Sequence, residues 1–195
     1  MQTNRNRKKE EIEDIFFGQV VLIWARWFVI AAGVIYALWM STSTEQLSLA
    51  ILPLVIIIGI NFFVHGRFLM EKPINQTLLL GLSVIDLVIV TIVVLFGPGQ
   101  RGINSDLFVF YYPLLIAFSF VFSQRTTAVY TISTLFVYVL VCVLLDPIAI
   151  ITGPVLEIMV MRVVTMAAVG SLGTYYWRIQ RDRRHELAQA FRAAA

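Results

Sequence analysis

Cysteine and histidine are scarce in this 195-residue chain, which has one cysteine, Cys142, and two histidines, His65 and His185. A single cysteine excludes an internal disulfide and a metal site built from several cysteines. We expect Cys142 to be a buried structural residue, because free cysteine behaves as a small hydrophobic side chain. His185 lies in a charged C-terminal segment, so the chain cannot supply two intramembrane imidazoles to a haem, and no metal site is expected.

Charge is also scarce, since 14% of the residues are charged and 59% are hydrophobic. The charges fall in short clusters between apolar runs, a pattern that is foreign to water-soluble domains of this size. The apolar runs match the roughly 20 residues that an α-helix needs to cross about 30 Å of hydrocarbon, and none alternates as barrel strands do. The sequence therefore predicts an all-α fold, a polytopic membrane helix bundle.

The length of the apolar runs predicts six transmembrane helices. They cover residues 25–40, 48–68, 77–96, 106–123, 127–145 and 155–177. In the fourth span, Pro113 is expected to kink the helix. The stretch 15–40 is too long for one perpendicular crossing, so the first span either tilts or follows an interfacial segment. The predicted organisation is an amphipathic segment over residues 1–24, a bundle over 25–177 and a charged helical tail over 178–195.

The basic residues predict the orientation. With the N-terminus inside, twelve of the fifteen Lys and Arg residues fall in cytoplasmic segments, and only Arg101 falls in an outer loop. Because basic residues are retained on the cytoplasmic side, both termini are predicted to be cytoplasmic, in a bacterial inner membrane. Topology and anionic lipid account for the net charge of +3, so we expect the lipid bilayer, and no nucleic acid, as a partner.

One carboxylate, Asp86, lies near the middle of the third span, in the stretch SVIDLVIVTIVVLF. A charge at that depth costs at least about 2.5–3.5 kcal/mol unless it is paired, protonated or hydrated. Judged by depth, Arg162 of the sixth span is its predicted partner in an intramembrane ion pair. Such a pair either fixes helix register or forms a proton, ion or ligand site. Arg26, flanked by Trp24 and Trp27, is expected to snorkel to the inner interface.

Four other side chains are candidates for a ligand site or for a lipid or quinone pocket. Asn61 and His65 are four residues apart and share one face of the second span. Tyr111 and Tyr112 belong to the aromatic fourth span, whose rings are otherwise expected in the core or against lipid. In the sixth span a stripe of small residues predicts close helix packing: Ala167, Ala168, Gly170, Ser171 and Gly173.

Catalytic and nucleotide-binding motifs are not found in the sequence. There is no phosphate-binding glycine loop after a strand, no histidine pair on one helix and no nucleophile elbow. We therefore expect no enzyme activity and no cofactor bound by this chain alone, with quinone or lipid at most at its surface. The charged tail has a sparse apolar side, which indicates a partner. The candidate partner-binding residues are Arg178, Arg181, Arg183, Arg184 and Leu187.

Three stretches carry a resemblance to a known family: WARWFVIAAGVIYALW, DLFVFYYPLLIAFSFVFSQRTTAVYTISTLFVYV and WRIQRDRRHELAQAF. Their arrangement resembles the six-helix membrane input region of bacterial sensor histidine kinases. The resemblance implies an exit helix that leads from the sixth span to a phosphoacceptor helix and an ATP-binding domain. The sequence stops at Ala195 without those elements, so kinase activity is not implied.

Two functions follow as expectations. The first is a non-catalytic accessory subunit of a multi-subunit membrane complex, one that handles electrons and quinones. The second is a sensory input module that passes a membrane or ligand signal through helix six to a cytoplasmic output domain. A transporter is a distant third, because inverted repeats are not evident and only Pro53 and Pro113 suggest broken helices.

Overall fold

The computed structural model describes residues 2–70, 74–97, 102–145, 147 and 153–194. The regular structure of these residues is helical, which confirms the all-α class. The long helices are α1 (Gln2–Met40), α2 (Thr44–Leu69), α3 (Gln76–Phe96), α4 (Tyr111–Val121), α5 (Gln124–Leu145) and α6 (Gly153–Ala194), and the 3-10 helices Gly102–Asn104 and Asp106–Phe110 precede α4. In this part of the chain, five helices are long and apolar enough to cross a membrane, and Asp106–Val121 is a shorter apolar segment.

Polar side chains define where several helices begin. Ser43 accepts a hydrogen bond from the Gln46 amide at 3.3 Å before α2, and Asn75 accepts one from the Thr77 amide at 3.3 Å before α3. These caps satisfy N–H groups that have no carbonyl partner in the first turn of a helix. Between the caps, the apolar sequence favours helices because every backbone polar group is then satisfied within its own segment.

One end of the bundle, which we call the base, is marked by two aromatic contacts. The rings of Phe16 in α1 and Phe68 in α2 lie 5.2 Å apart, and those of Phe120 in α4 and Tyr176 in α6 lie 5.7 Å apart. Four segments therefore lie at the base: the start of the apolar part of α1, the end of α2, the end of α4 and the later part of α6.

The opposite end, the top, is marked by contacts of the segment before α4. A Cβ built on Gly102 would lie 2.7 Å from Leu145, the last residue of α5, and Arg162 in the first half of α6 bonds the Ile103 carbonyl. Consecutive helices thus run alternately from base to top and back. The polar N-terminal part of α1 and the C-terminal part of α6 both extend past the base.

The core lies between α1, α3, α4 and α5, whereas α6 is peripheral. Phe118 of α4 stacks on Phe122 at 4.2 Å and on Tyr130 of α5 at 3.7 Å. Of the apolar segments, that of α3 is 44% buried and that of α6 only 11% buried. The sixth helix therefore lies at the periphery of the bundle.

The small residues of α6 do allow close packing. Gly170 faces Thr131 of α5, whose Oγ1 would lie 2.8 Å from an added Cβ, and an added Cβ at Gly173 would overlap the Ser119 hydroxyl of α4. Two glycines three residues apart thus bring α6 against two neighbouring helices, as the sequence predicted.

Two predicted boundaries are corrected by the structure. The apolar part of α1 begins at Gly18, not residue 25, because Gly18 packs on Val121 and belongs to the bundle. The fourth span does not start as an α-helix, since Asp106–Phe110 is a 3-10 helix. Pro113 is the third residue of α4, directly after this 3-10 helix, and the expected kink stays a prediction.

Candidate functional site

The most deeply buried charges in the described part of the chain form an ion pair between α1 and α3. The Nε and Nη2 atoms of Arg26 lie 2.8 and 2.7 Å from Oδ2 of Asp86, and the two side chains are 2% and 3% exposed. Removing two charges from water is costly, and their mutual attraction offsets that cost only when the geometry is good and the remaining polar atoms find partners. This pair is the candidate functional site.

The predicted partner of Asp86, Arg162, is wrong, and so is the snorkelling role of Arg26. Depth alone suggested Arg162, but α6 packs on α4 and α5, so its arginine cannot replace Arg26 beside α3. Arg26 points into the bundle, while Trp24 on the same helix is 70% exposed. The sequence left the rotation of α1 undetermined, and the rotation decides which arginine meets the acid.

Arg162 has a different environment near the top. Its Nη1 donates to the carbonyls of Ile103 at 2.6 Å and Ser105 at 3.1 Å, and to the Tyr138 hydroxyl at 3.3 Å. The guanidinium also lies 3.8 Å from the centre of the Phe108 ring, within the range of a cation–π interaction. Because Ile103 lies in a three-residue 3-10 helix and Ser105 between two such helices, Arg162 satisfies carbonyls that a continuous helix would have satisfied itself.

Two buried polar side chains lie on the base side of the ion pair. Gln19 and Asn61 are fully buried, and the Asn61 amide donates to the Ile23 carbonyl of α1 at 3.4 Å. Gln19, Ile23 and Arg26 follow one another at helical spacing on one face of α1. We use the name polar seam for Gln19, Arg26, Asn61 and Asp86.

Several atoms of the polar seam have no hydrogen-bond partner among the described residues. They are Oε1 and Nε2 of Gln19, Nη1 of Arg26, Oδ1 of Asn61 and Oδ1 of Asp86, and Nη2 of Arg26 makes only its ion-pair contact with Oδ2 of Asp86. Native interiors pair nearly all buried polar atoms, with protein groups or with ordered water. The polar seam therefore has hydrogen-bonding capacity that the described residues do not fill.

Hydroxyl groups of α3, α4 and α5 lie around the seam and above it. The Tyr130 hydroxyl donates to the Ser83 carbonyl at 2.9 Å, three residues before Asp86. Toward the top, the hydroxyls of Thr91 and Tyr111 lie 3.0 Å apart, and Tyr111 packs edge-on against Tyr138 at 5.8 Å. These bonds pin α3 to α4 and α5 on either side of the ion pair.

The four candidate ligand residues do not form one site. Asn61 belongs to the polar seam. The Tyr111 hydroxyl is hydrogen-bonded to the Thr91 hydroxyl, and the Tyr112 hydroxyl lies 2.9 Å from the Thr165 hydroxyl of α6. His65 is half-buried near the base, its ring 6.4 Å from that of Phe68 and its Nδ1 without a partner in the described structure. In the part of the chain that the structure describes, no group of three His, Cys, Asp or Glu side chains is close enough to hold a metal ion.

An apolar cavity of about 260 Å³ lies between α1, α2 and α3, on the top side of the ion pair. Its lining is almost entirely aliphatic and aromatic, with Gly33 and Ala37 from α1, Leu54 from α2, Val93 from α3 and Phe110 before α4. Such a surface suits a hydrocarbon chain and offers little to orient a polar ligand.

The tail residues lie on the part of α6 beyond the base. The side chains of Arg178 and Arg183 are exposed. Those of Arg181, Arg184 and Leu187 lie outside the described residues. Cys142 is buried, as expected, beside Tyr138.

Sequence reasoning missed Gln19 and misplaced Arg26. A signal was present, because the two polar residues are seven apart and so lie on one face of an otherwise apolar helix.

Comparison of the chain with models of known families, with curated proteins and with solved structures finds no match.

Proposed function

We propose that the chain is an integral protein of a bacterial cytoplasmic membrane that crosses the bilayer six times, with both ends in the cytoplasm. The alternating helices support this arrangement. The short fourth segment also has sufficient length, because five 3-10 residues and eleven α-helical residues rise about 26 Å, close to the hydrocarbon thickness of about 30 Å. The base, past which both terminal helices extend, is then the cytoplasmic end.

Its function, in this proposal, is that of a non-catalytic accessory subunit in a multi-subunit membrane complex. The observation that carries it is the exposed face of α6. Ala168 and Ser171 are exposed there, although α6 is the least buried of the long apolar helices in the described structure. Small residues permit close approach between helices, and a lipid-facing position gives them no such use.

A groove beside this face provides a place for a neighbouring helix. It measures about 480 Å³ and runs between α5 and α6 in the half of the bundle near the base, with Ala128 and Thr131 on one wall and Ala167, Gly170 and Ser171 on the other. Arg178 lies at its end. A transmembrane helix of another subunit would gain van der Waals contact along these small residues.

The quinone-linked part of the proposal rests on the apolar cavity between α1, α2 and α3. An isoprenoid or acyl chain of a ligand matches the apolar lining of this cavity. The protein itself would need no cofactor of its own. Electron transfer itself would belong to the partner subunits.

The second candidate, a sensory input module, is favoured by one observation. Helix α6 continues unbroken for 42 residues, from the top of the bundle to Ala194 beyond the base. A continuous helix transmits a shift or rotation along its axis, so a change near Arg162 or Gly170 would reach the tail. In this alternative the tail leads to an output domain.

The experiment that separates the two candidates is purification of the native protein in mild detergent, through an N-terminal tag, with mass spectrometry of the intact chain and its companions. Stoichiometric cofactor-bearing subunits are the expected result. A longer chain with a kinase domain would favour the sensory candidate, and a lone 22.1 kDa chain would contradict both.

A substitution on the exposed face of α6 tests whether partner subunits bind there. Ala168→Leu fills the exposed face of α6 and is expected to reduce the recovery of partner subunits several-fold without lowering the melting temperature of the chain. Ala31→Leu, at an exposed position on α1, is the matched control and should leave recovery unchanged. Equal recovery with both variants would contradict the assignment of this face.

A further inference from the structure

We propose that the polar seam holds ordered water, which reaches the Arg26–Asp86 pair from the base of the bundle and stops there. The inference concerns the interior of the bundle and holds whichever of the two proposed functions is correct.

The register between α1 and α2 determines which polar groups lie level with one another. Phe16 packs on Phe68, and the Asn61 amide bonds the Ile23 carbonyl. Because the two helices are antiparallel, these two contacts place His65 level with Gln19, one turn closer to the base than Asn61. Polar groups therefore occupy each turn from the base to the ion pair.

The polar seam leaves both donors and acceptors without partners among the described residues. Three oxygens lack donors, on Gln19, Asn61 and Asp86, and nitrogens of Gln19 and Arg26 lack hydrogen-bond acceptors. A metal cation would serve only the oxygens and would be repelled by the guanidinium, whereas an anion would serve only the nitrogens and would be repelled by the carboxylate. Water donates and accepts, is neutral beside a neutral pair, and typically makes about three hydrogen bonds when it is buried in a protein.

Apolar side chains close the polar seam toward the top. Ile30, Ile57 and Ile89 form a separate buried cluster. Each lies one turn nearer the top than a member of the polar seam on the same helix: Ile30 above Arg26, Ile57 above Asn61 and Ile89 above Asp86. Three isoleucines offer water no hydrogen bond, so the water ends at the ion pair, and Asp86 is reached from one side of the membrane only.

Thiol labelling in oriented membrane vesicles tests the proposal. Gln19→Cys and Asn61→Cys are made in a Cys142→Ala background and exposed to a small, membrane-impermeant methanethiosulfonate from either side. Because only a hydrated thiol ionises and reacts, we expect both to react from the base side at least about tenfold faster than Val64→Cys, a control that is equally buried on α2 but packed in the apolar core. Ile57→Cys should be as slow as the control.

A measurement on the unsubstituted protein covers variants that do not fold. In lipid vesicles, water-edited solid-state NMR should transfer magnetisation from water to the side chains of Gln19 and Asn61 and not to Val64. Labelling rates no higher than that of Val64→Cys, labelling only from the top side, or no transfer to Gln19 and Asn61 would each overturn the proposal.

Discussion

At the scale of single residues, the Arg26–Asp86 pair determines how α1 faces α3. Two charges inside a bundle are tolerated when each neutralises the other, and the cost of separating them exceeds the cost of removing both. The pair therefore specifies the packing of these helices more than it adds to their net stability.

Substitution of one partner at a time is therefore expected to be more harmful than substitution of both. Asp86→Asn or Arg26→Gln should each lower the free energy of unfolding by about 3–5 kcal/mol, because each leaves an uncompensated buried charge. The double variant should recover part of that loss. Thermal unfolding of the purified chain in detergent measures the effect as a double-mutant cycle.

The matched cycle uses Arg162→Gln. Arg162 bonds carbonyls near the top and does not contact the acid, so its effect should add to that of Asp86→Asn without coupling. Coupling of Asp86 to Arg162 in place of Arg26 would contradict the observed pairing.

At the scale of elements, α6 packs on α4 and α5 through two glycines and the buried Met166, and its outer face is exposed. This combination gives the helix a fixed position on α4 and α5 and leaves its outer face available. The glycines contribute because they have no side chain, so any added atom must displace Thr131 or Ser119.

Gly170→Ala and Gly173→Ala are expected to destabilise the bundle. Overpacking of a close contact costs about 1–3 kcal/mol, more than the roughly 1 kcal/mol that alanine gains over glycine in a helix interior. Gly81→Ala is the control, since a Cβ there meets nothing within 4 Å, and it should be neutral or stabilising. The melting temperatures of the three variants, measured in the same detergent, test this expectation. Equal shifts for all three variants would show that the glycine contacts are unimportant.

At the scale of the whole molecule, the distribution of basic residues predicts that both ends of the chain are cytoplasmic. Reporter fusions test it in a bacterial host. A reporter that is active only outside the cytoplasm should be active when fused after Thr42 and inactive when fused after Ser123 or Ala195. Activity at Ala195 would show an odd number of crossings and would refute six spans with both ends inside.

Composition and the length of the apolar runs were sufficient to predict the all-α membrane bundle, because hydrocarbon imposes both apolarity and helix length on a spanning segment. The same reasoning identified Asp86 as a buried acid that needs a partner. It also identified the small residues of α6, since backbone approach depends on residue size alone.

Only the tertiary structure decided which groups meet. Arg26 and Arg162 are both arginines within spans, and depth along a helix gave Asp86 the wrong one of the two. The rotation of α1 brings Gln19 and Arg26 inward toward Asn61 and Asp86, while the packing of α6 on α4 and α5 assigns Arg162 to the carbonyls of Ile103 and Ser105. Sequence fixes the depth of a side chain in a membrane, but its direction depends on helix rotation, which the contacts of the whole bundle set together.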